Sequence, residues 1–282
     1  MSVLGFSDLK GKVAVMTGGT GVIGRALAEA LAGAGVKLAI GGRNADQAEA
    51  KAAAVAKKTG GTVIGLGLDV LSLESLSAAR EEVHRRLGVI DLLINGAGGN
   101  QAKATTGAET MTSGAPADRA STFFGLDLTA LDEVMRLNYT GTLLPTRVFA
   151  EDMLGRGGVI LNLSSSASIR PLTKVVGYGA SKAAVNNLTQ WLAVHLAPQN
   201  IRVNALAPGF FITEQNRFLM IDEKTGEHSP RARKILAGTP MGRLGAVEDL
   251  QGATLFLLSD LSRFVTGIVL PVDGGFSAYS GV

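Results

Sequence analysis

The stretch Val13–Gly35, V-A-V-M-T-G-G-T-G-V-I-G-R-A-L-A-E-A-L-A-G-A-G, decides how the rest of the chain is read. Val13–Met16 is a short apolar run between Lys12 and a glycine-rich turn, which reads as a buried strand. Thr17-Gly18-Gly19-Thr20-Gly21-Val22-Ile23-Gly24 follows, and then an alanine-rich run from Arg25 that ends in glycine, which reads as a helix. Strand, glycine turn and helix in that order set backbone N–H groups and a positive helix end where a pyrophosphate can sit. Glycines also build plain tight turns, so the cluster gains its meaning from the elements on either side.

The same unit recurs outward. Val36–Ile40 reads as a second strand and Val63–Leu68 as a third, with Asp69 and Val70 at its end. Val89–Ile94 leads into Asn95-Gly96-Ala97-Gly98, and Val159–Leu163, Ile201–Ala207 and Ile268–Val272 complete the set. Runs at helical spacing lie between them, among them Leu131–Phe149, Ala183–Val194 and Ala246–Leu258. Strands alternating with helices predict a parallel sheet. The expected fold class is therefore α/β: a single-domain, Rossmann-type doubly wound parallel sheet of about seven strands with helices on both faces, spanning residues 1–282. Two polar excursions, near 99–127 and 210–240, break the pattern. The first follows the fourth strand's carboxyl end, so it overhangs the ligand crevice of such a sheet. Its length without periodicity favours a substrate lid over a surface excursion.

Composition narrows the partners. A chain of 282 residues with 46% hydrophobic content can bury one substantial core. The net charge is only +3, which indicates no nucleic-acid partner. There is no cysteine, which excludes disulfides, thiolate catalysis and cysteine metal sites. His84, His195 and His228 are far apart in sequence and form no ligand spacing, so no metal is expected. No apolar run approaches the ~18 residues that span a membrane, and Met1–Lys10 lacks the apolar core of a signal peptide. A soluble, cytoplasmic protein with a small-molecule partner is the expectation.

The chemistry is concentrated in Asn162–Lys182, N-L-S-S-S-A-S-I-R-P-L-T-K-V-V-G-Y-G-A-S-K. Tyr178 and Lys182 stand four apart at the start of a helical run, so the phenol and the ammonium share one face. Ser165 sits just past a strand, where its hydroxyl can face the pair. A free phenol has a pKa of about 10 and is a poor base at neutral pH. Lowering it by roughly three units takes about 4 kcal/mol of preference for the phenolate. A cation a few Å away, at an effective dielectric of about 20, supplies energy of that order. Lys182 can be that cation, an oxidised nicotinamide would add to it, and Ser165 would hold the substrate oxygen while Tyr178 moves its proton.

Ser165, Y-G-A-S-K and T-G-G-T-G-V-I-G together resemble the short-chain dehydrogenase/reductase family, from Leu9 to Gly275. The resemblance implies an NAD(P)(H) cofactor held by Gly18, Thr20, Gly21, Val22, Ile23 and Gly24. It implies that Asp69 and Val70 border adenine and that Asn95, Gly96 and Ala97 form the turn beside it, with Asn95 tying strand ends. It also implies that Pro208, Gly209, Ile212 and Thr213 close over nicotinamide, and that Asn138 links Lys182 to bulk water. With Ser165, Tyr178 and Lys182, Asn138 completes the implied catalytic set, and Tyr178 and Lys182 also contact the cofactor. A homotetramer is implied, with the Asn138 and Tyr178 helices packing across subunits.

The chain departs from the family pattern in three places. Val22 holds the middle glycine position and Gly21 lies one place earlier, so the loop is expected to close around Gly18, Gly21 and Gly24. Gly96 replaces the second asparagine of N-N-A-G. Gly42 stands where an acid would bind a ribose 2′-hydroxyl and select NAD. Arg43 beside it can pair with a 2′-phosphate or stack on adenine; the missing carboxylate tilts the expectation toward NADP(H).

Three further segments carry a finer likeness. N-G-A-G-G-N before the first excursion, P-G-F-F-I-T-E-Q-N-R after the sixth strand and the tail V-D-G-G-F-S-A-Y-S-G-V resemble the D-mannonate oxidoreductase (fructuronate reductase) subgroup. That likeness implies interconversion of D-fructuronate and D-mannonate, a ketone and an alcohol on a sugar acid. The subgroup reads as NAD-linked, with an acid where Gly42 lies, so the chain departs from it on cofactor choice. A sugar acid needs a cation for its carboxylate and several hydroxyl partners. Asn100, Arg170, Lys174, Gln215, Asn216 and Arg217, with Ser165, are the candidates; each of the first six, taken singly, reads first as a solvated loop residue. Two other functions stay open: reduction of another polyol, sugar or keto-acyl substrate, and a catalytically silent nucleotide-binding sensor. The intact Asn138, Ser165, Tyr178 and Lys182 set speaks against the last.

Overall fold

The computed structural model describes residues 5–111, 113, 118–213, 217–222 and 225–281. Seven strands form one parallel sheet: β1 (Val13–Thr17), β2 (Lys37–Gly42), β3 (Val63–Gly67), β4 (Leu92–Asn95), β5 (Gly158–Leu163), β6 (Ile201–Pro208) and β7 (Val269–Val272). Their order is β3-β2-β1-β4-β5-β6-β7, so the chain winds outward from the β1–β4 pair in both directions. The inner strands β1, β4, β5 and β6 are buried on both sides, which explains their near-continuous apolar sequences, whereas β3 and β7 at the sheet edges are only partly covered. Val13 and Val15 of β1 face one core with α3 (Leu73–Arg86), α5 (Gly141–Phe149) and α6 (Val176–Leu196). Ala14 and Met16 face the other, with α1 (Val22–Gly33), α2 (Ala45–Thr59) and α9 (Gln251–Leu258). The doubly wound expectation holds.

Three elements differ from the sequence reading. The helix expected at Leu131–Phe149 begins earlier and is broken: α4 (Leu128–Met135) passes into a π-turn at Arg136–Thr140 before α5 begins. Asp127 starts α4 by accepting from the N–H groups of Thr129 and Ala130, a cap of the usual kind. The second excursion holds α7 (Arg217–Met220) and α8 (Pro230–Ala237). Ser229 caps α8 and Pro230 occupies its first turn, a start signal that is legible in the sequence. Finally, β4 starts at Leu92 rather than Val89, and Asp91 instead binds the Val13 N–H at 2.9 Å.

At the opposite end of the sheet from the strand termini that matter below, Asp152 joins α3 to the entry of β4. It accepts from Arg80 Nε at 2.7 Å and from the Ile90 N–H at 3.0 Å, and it pairs with His84. Burial alone would raise its carboxyl, but His84, Ile90 and Arg80 hold it below the ordinary range.

Candidate active site

The glycine turn between β1 and α1 is set by contact rather than by flexibility alone. Gly18 has φ +67°, and an added Cβ there would stand 2.5 Å from the Gly96 carbonyl oxygen. A Cβ on Gly24 would collide with the Gly18 carbonyl, and one on Gly19 would lie 2.7 Å from Ile40 Cβ. Gly21 meets nothing closer than 3.4 Å. The loop therefore closes around Gly18, Gly19 and Gly24, while Gly21 serves as the open N-terminal residue of α1, without a side-chain cap. The first N–H groups of a helix have no intrahelical partner; Val22 and Ile23, the first residues of α1, line a crevice, while the Gly21 N–H closes the turn on the Gly18 carbonyl at 3.0 Å. Lys51 of α2 steadies the turn by donating to the Thr20 carbonyl at 2.5 Å.

That crevice has a volume of about 930 Å³ and runs along the carboxyl ends of the strands. Gly18, Thr20, Gly24, Arg43, Asp69, Val70, Gly96, Ala97, Pro208, Gly209 and Thr213 line it, with Asn100, Ser165, Tyr178 and Lys182. A cradle of close-packed glycines, a free helix N-terminus and this length suit a dinucleotide, whose pyrophosphate the α1 turn could hold. A smaller cavity of about 210 Å³, between Phe210, Phe211, Met241 and Asp273, holds none of the tyrosine–lysine set.

Ser165, Tyr178 and Lys182 converge as the spacing predicts. Ser164 extends the β5–β6 pairing by donating its N–H to the Leu206 carbonyl at 2.7 Å, which fixes where Ser165 leaves the sheet. Ser165 Oγ accepts from the Ala167 N–H at 3.1 Å and lies near enough to the Tyr178 phenol to favour its ionised form. Lys182 is only 5% exposed; its Nζ donates to the Leu163 carbonyl at 2.7 Å and lies 5.9 Å from the Tyr178 ring centre. Burial lowers the Lys182 ammonium to about 8. Burial also raises the Tyr178 phenol, against the smaller pull of Ser165. The sequence expects Lys182 to draw the phenol down. In the protein alone burial wins, because the ammonium is aimed at the Leu163 carbonyl.

Asn138 lies in the π-turn and is fully buried. Its Nδ2 donates to the Gly99 carbonyl at 2.8 Å and its Oδ1 accepts from the Gly99 N–H at 3.1 Å, so its side chain clamps the start of the first excursion. Asn95 faces away from the crevice and binds Asn162 Oδ1 at 2.9 Å and Thr146 Oγ1 at 2.8 Å. It ties β4 to β5, as expected of a supporting residue. Gly96 is tight for its own reason: a Cβ there would stand 2.8 Å from the Thr17 carbonyl oxygen.

The remaining candidates scatter. Ile212 packs among Met220, Ala232 and Ile235, outside the crevice lining. Arg170 and Lys174 sit on the loop between Ser165 and α6, where Arg170 Nε donates to the Ser277 carbonyl at 2.9 Å. Lys174 has φ +73° and its carbonyl accepts from the Thr106 N–H at 3.1 Å. Arg217 is exposed at the start of α7, and Gln215 and Asn216 lie outside the described residues. Sequence reasoning missed Gly98, whose added Cβ would stand 2.5 Å from Asn138 Oδ1 and 3.1 Å from Lys182 Nζ. Its only signal is its place in N-G-A-G-G. Among the described residues no group of three or more histidines and carboxylates could hold a metal, and no helix is long and apolar enough to cross a membrane.

The chain is similar to known proteins. The family described as enoyl-(acyl carrier protein) reductase matches residues 19–277. The uncharacterized oxidoreductase UxuB of Bacillus subtilis (strain 168) is 46% identical over 277 residues, which cover 98% of each protein. A crystal structure from Haemophilus influenza with bound NAD, provisionally described as a D-mannonate oxidoreductase, is 45% identical; it has a TM-score of 0.92 and 98% of each chain covered. A gluconate 5-dehydrogenase from Burkholderia cenocepacia J2315, in complex with NADP and tartrate, is 32% identical, with a TM-score of 0.81 over 97% of this chain and 99% of that one. Fold and relatives define an NAD(P)-dependent oxidoreductase acting on CH–OH groups. The chain belongs to the short-chain dehydrogenase/reductase family.

The buried lysine gives a direct test. With lysine 13C-labelled, one amine is expected to titrate near pH 8 in the cofactor-free protein, and its signal to vanish in Lys182→Met. The folded value lies below the unfolded one, so between pH 8 and 10.5 the unfolded chain binds more protons and this group's contribution to stability rises with pH. A spectrum with every lysine above pH 10 would contradict the burial.

Proposed function

We propose that the enzyme interconverts the ketone and the secondary alcohol of a sugar acid, D-fructuronate and D-mannonate. The observation that carries the reaction is the convergence of Ser165, the Tyr178 phenol and the buried Lys182 ammonium on one crevice wall. The nicotinamide cofactor, when bound, supplies or accepts the hydride. Ser165 holds the substrate oxygen; Tyr178 gives its proton to that oxygen in reduction and takes it back in oxidation. Lys182 steadies the phenolate left behind. Asn138 keeps the Gly99 peptide and the start of the excursion fixed over the site. The choice of sugar acid is supported by the likeness to the Haemophilus protein over the whole chain. Asn100 in the crevice, with Arg170 and Lys174 on the loop between Ser165 and α6, are the proposed partners of the hydroxyls and carboxylate.

The reading extends to a cytoplasmic homotetramer. It is supported by apolar groups left open on the α4 and α6 faces: Leu128 at 76%, Trp191 at 57% and Val194 at 79% exposure.

NADP is proposed to bind at least as well as NAD. The end of β2 offers Gly41, Gly42 and Arg43 to the crevice and no carboxylate. A side chain at Gly42 is obstructed, since its Cβ would stand 2.7 Å from Thr20 Oγ1. Gly42→Asp would thus disturb the turn, and Arg43 is the cleaner probe. Arg43→Ala should weaken NADP about tenfold or more relative to NAD, measured as two dissociation constants by fluorescence titration, since a charge-assisted bond contributes roughly 1.5–3 kcal/mol. Equal losses would mean that the guanidinium only stacks on adenine.

Turnover decides the substrate. The wild type should oxidise NADH or NADPH with D-fructuronate, and Tyr178→Phe should lose about 100-fold or more of that rate while binding cofactor normally. Turnover of acyl or neutral polyol substrates alone would sink the sugar-acid reading, and a Tyr178→Phe variant keeping over about a tenth of the rate would remove Tyr178 as the proton donor.

A further inference from the structure

We propose that Thr142 and Thr146 are positioning residues that hold Asn138 opposite Lys182, an inference that rests on the role given above to the Tyr178–Lys182 pair. It starts from an oddity of helix chemistry. Over Asn138–Thr146 the sequence N-Y-T-G-T-L-L-P-T gathers residues that helices disfavour. The backbone first takes a π-turn at Arg136–Thr140, closed by the Gly141 N–H on the Arg136 carbonyl. Thr142 Oγ1 then donates back to the Asn138 carbonyl at 2.8 Å, and Thr146 Oγ1 donates to the Thr142 carbonyl at 2.8 Å. Pro145 between them has no N–H to give to the helix. Back-bonding threonines bend helices and slightly destabilise them, and π-turns are rare insertions that are frequent at functional sites. Thr142 and Thr146 are nonetheless 2% and 4% exposed, at positions where valine would pack as well.

The hydroxyls do more than satisfy their own helix. Asn95 Nδ2 donates to Thr146 Oγ1 at 2.8 Å and to Asn162 Oδ1 at 2.9 Å. Asn162 Nδ2 donates to Thr189 Oγ1 at 2.9 Å, and Thr189 Oγ1 donates to the Val185 carbonyl at 2.8 Å. A continuous buried chain thus runs from the Asn138 carbonyl, through β4 and β5, to α6 within a turn of Lys182. The side chains next to its two ends, Asn138 Oδ1 and Lys182 Nζ, share the space that the missing Cβ of Gly98 leaves. Thr146 and Thr189 each donate one bond and accept another, so an apolar replacement orphans a partner in a dry interior. Asn95 is itself fixed by its two donated bonds. The chain closes a brace around the lysine, and Thr142 is the link that reaches Asn138.

Thr142→Val keeps the shape and removes that link, and Thr142→Ser restores the hydroxyl. Burial alone lowers the Lys182 ammonium to about 8, so a loosened brace that admits water should move its midpoint upward. In 13C-lysine titrations of the cofactor-free protein, Thr142→Val and Thr146→Val should both show that rise, and Thr142→Ser should return it to the wild-type value. With D-fructuronate, kcat of Thr142→Val should fall about tenfold with KM nearly unchanged, since small misplacements of catalytic groups are costly. A lower Tm with an unmoved lysine midpoint and unchanged kcat would show that the threonines only stabilise a helix, and would overturn the proposal. If Thr142→Val does not fold, Thr146→Val decides by the same titration. If the wild type does not turn over D-fructuronate, the substrate reading fails, while the lysine midpoint still decides the role of the threonines.

Discussion

A buried ammonium bonded to the last carbonyl of a central strand is the constraint on which the rest of this structure depends. Lowering Lys182 from 10.5 to about 8 corresponds to about 3 kcal/mol of lost preference for its charged form. A fold of marginal stability keeps such a cost only where its surroundings determine it. The Leu163 carbonyl is held in place because β5 is paired on both sides, with β4 from Leu92↔Val159 to Asn95↔Asn162 and with β6 from Gly158↔Ile201 to Leu163↔Leu206. Gly98 is glycine because Asn138 and the lysine occupy the space of its side chain. The ammonium therefore depends on the sheet register, the β4 turn and the π-turn together.

The same strand ends build the other half of the crevice. Gly18 must approach the Gly96 peptide, and Gly96 must approach the Thr17 carbonyl, so the nucleotide turn and the β4 turn are packed backbone to backbone. A side chain added at either turn would meet backbone of its neighbour, so the cradle at α1 and the β4 turn are packed without slack. The two excursions join the same region. The first starts at Gly99 under the Asn138 clamp, and its Glu109 meets Lys234 of α8 at 2.7 Å.

Much of this was legible in the sequence because it is local. Strand β1, its glycine turn and α1 are contiguous, and Tyr178 and Lys182 share a helix face by spacing alone. The closing glycines were less legible. Gly21 was expected to be tight, yet Gly19 is, because the obstacle is Ile40 on a neighbouring strand. The π-turn escaped because apolar periodicity continues through Leu131–Phe149 and hides one inserted residue. Arg170 meets Ser277, more than a hundred residues away, and no spacing rule reaches that far. Helix α8 could have been found from Ser229-Pro230, but polar composition masked it. Lys182's effect on the phenol was read from distance to a cation, and the larger effect, burial, is a property of the folded whole.

The central claim is that the protein by itself keeps Tyr178 protonated and that the oxidised cofactor completes the base. The chain has three tyrosines, Tyr139, Tyr178 and Tyr279, so tyrosinate absorbance near 295 nm can be followed against pH with and without saturating oxidised cofactor, using Tyr178→Phe to assign the signal. The account predicts that the Tyr178 transition lies above the ordinary tyrosine value of about 10 in the free protein. It predicts a fall of roughly two units or more in the complex, since a nearby positive charge shifts such groups by about 1–3 units. A Tyr178 transition already near neutral pH without cofactor, or one that cofactor leaves unmoved, would contradict it.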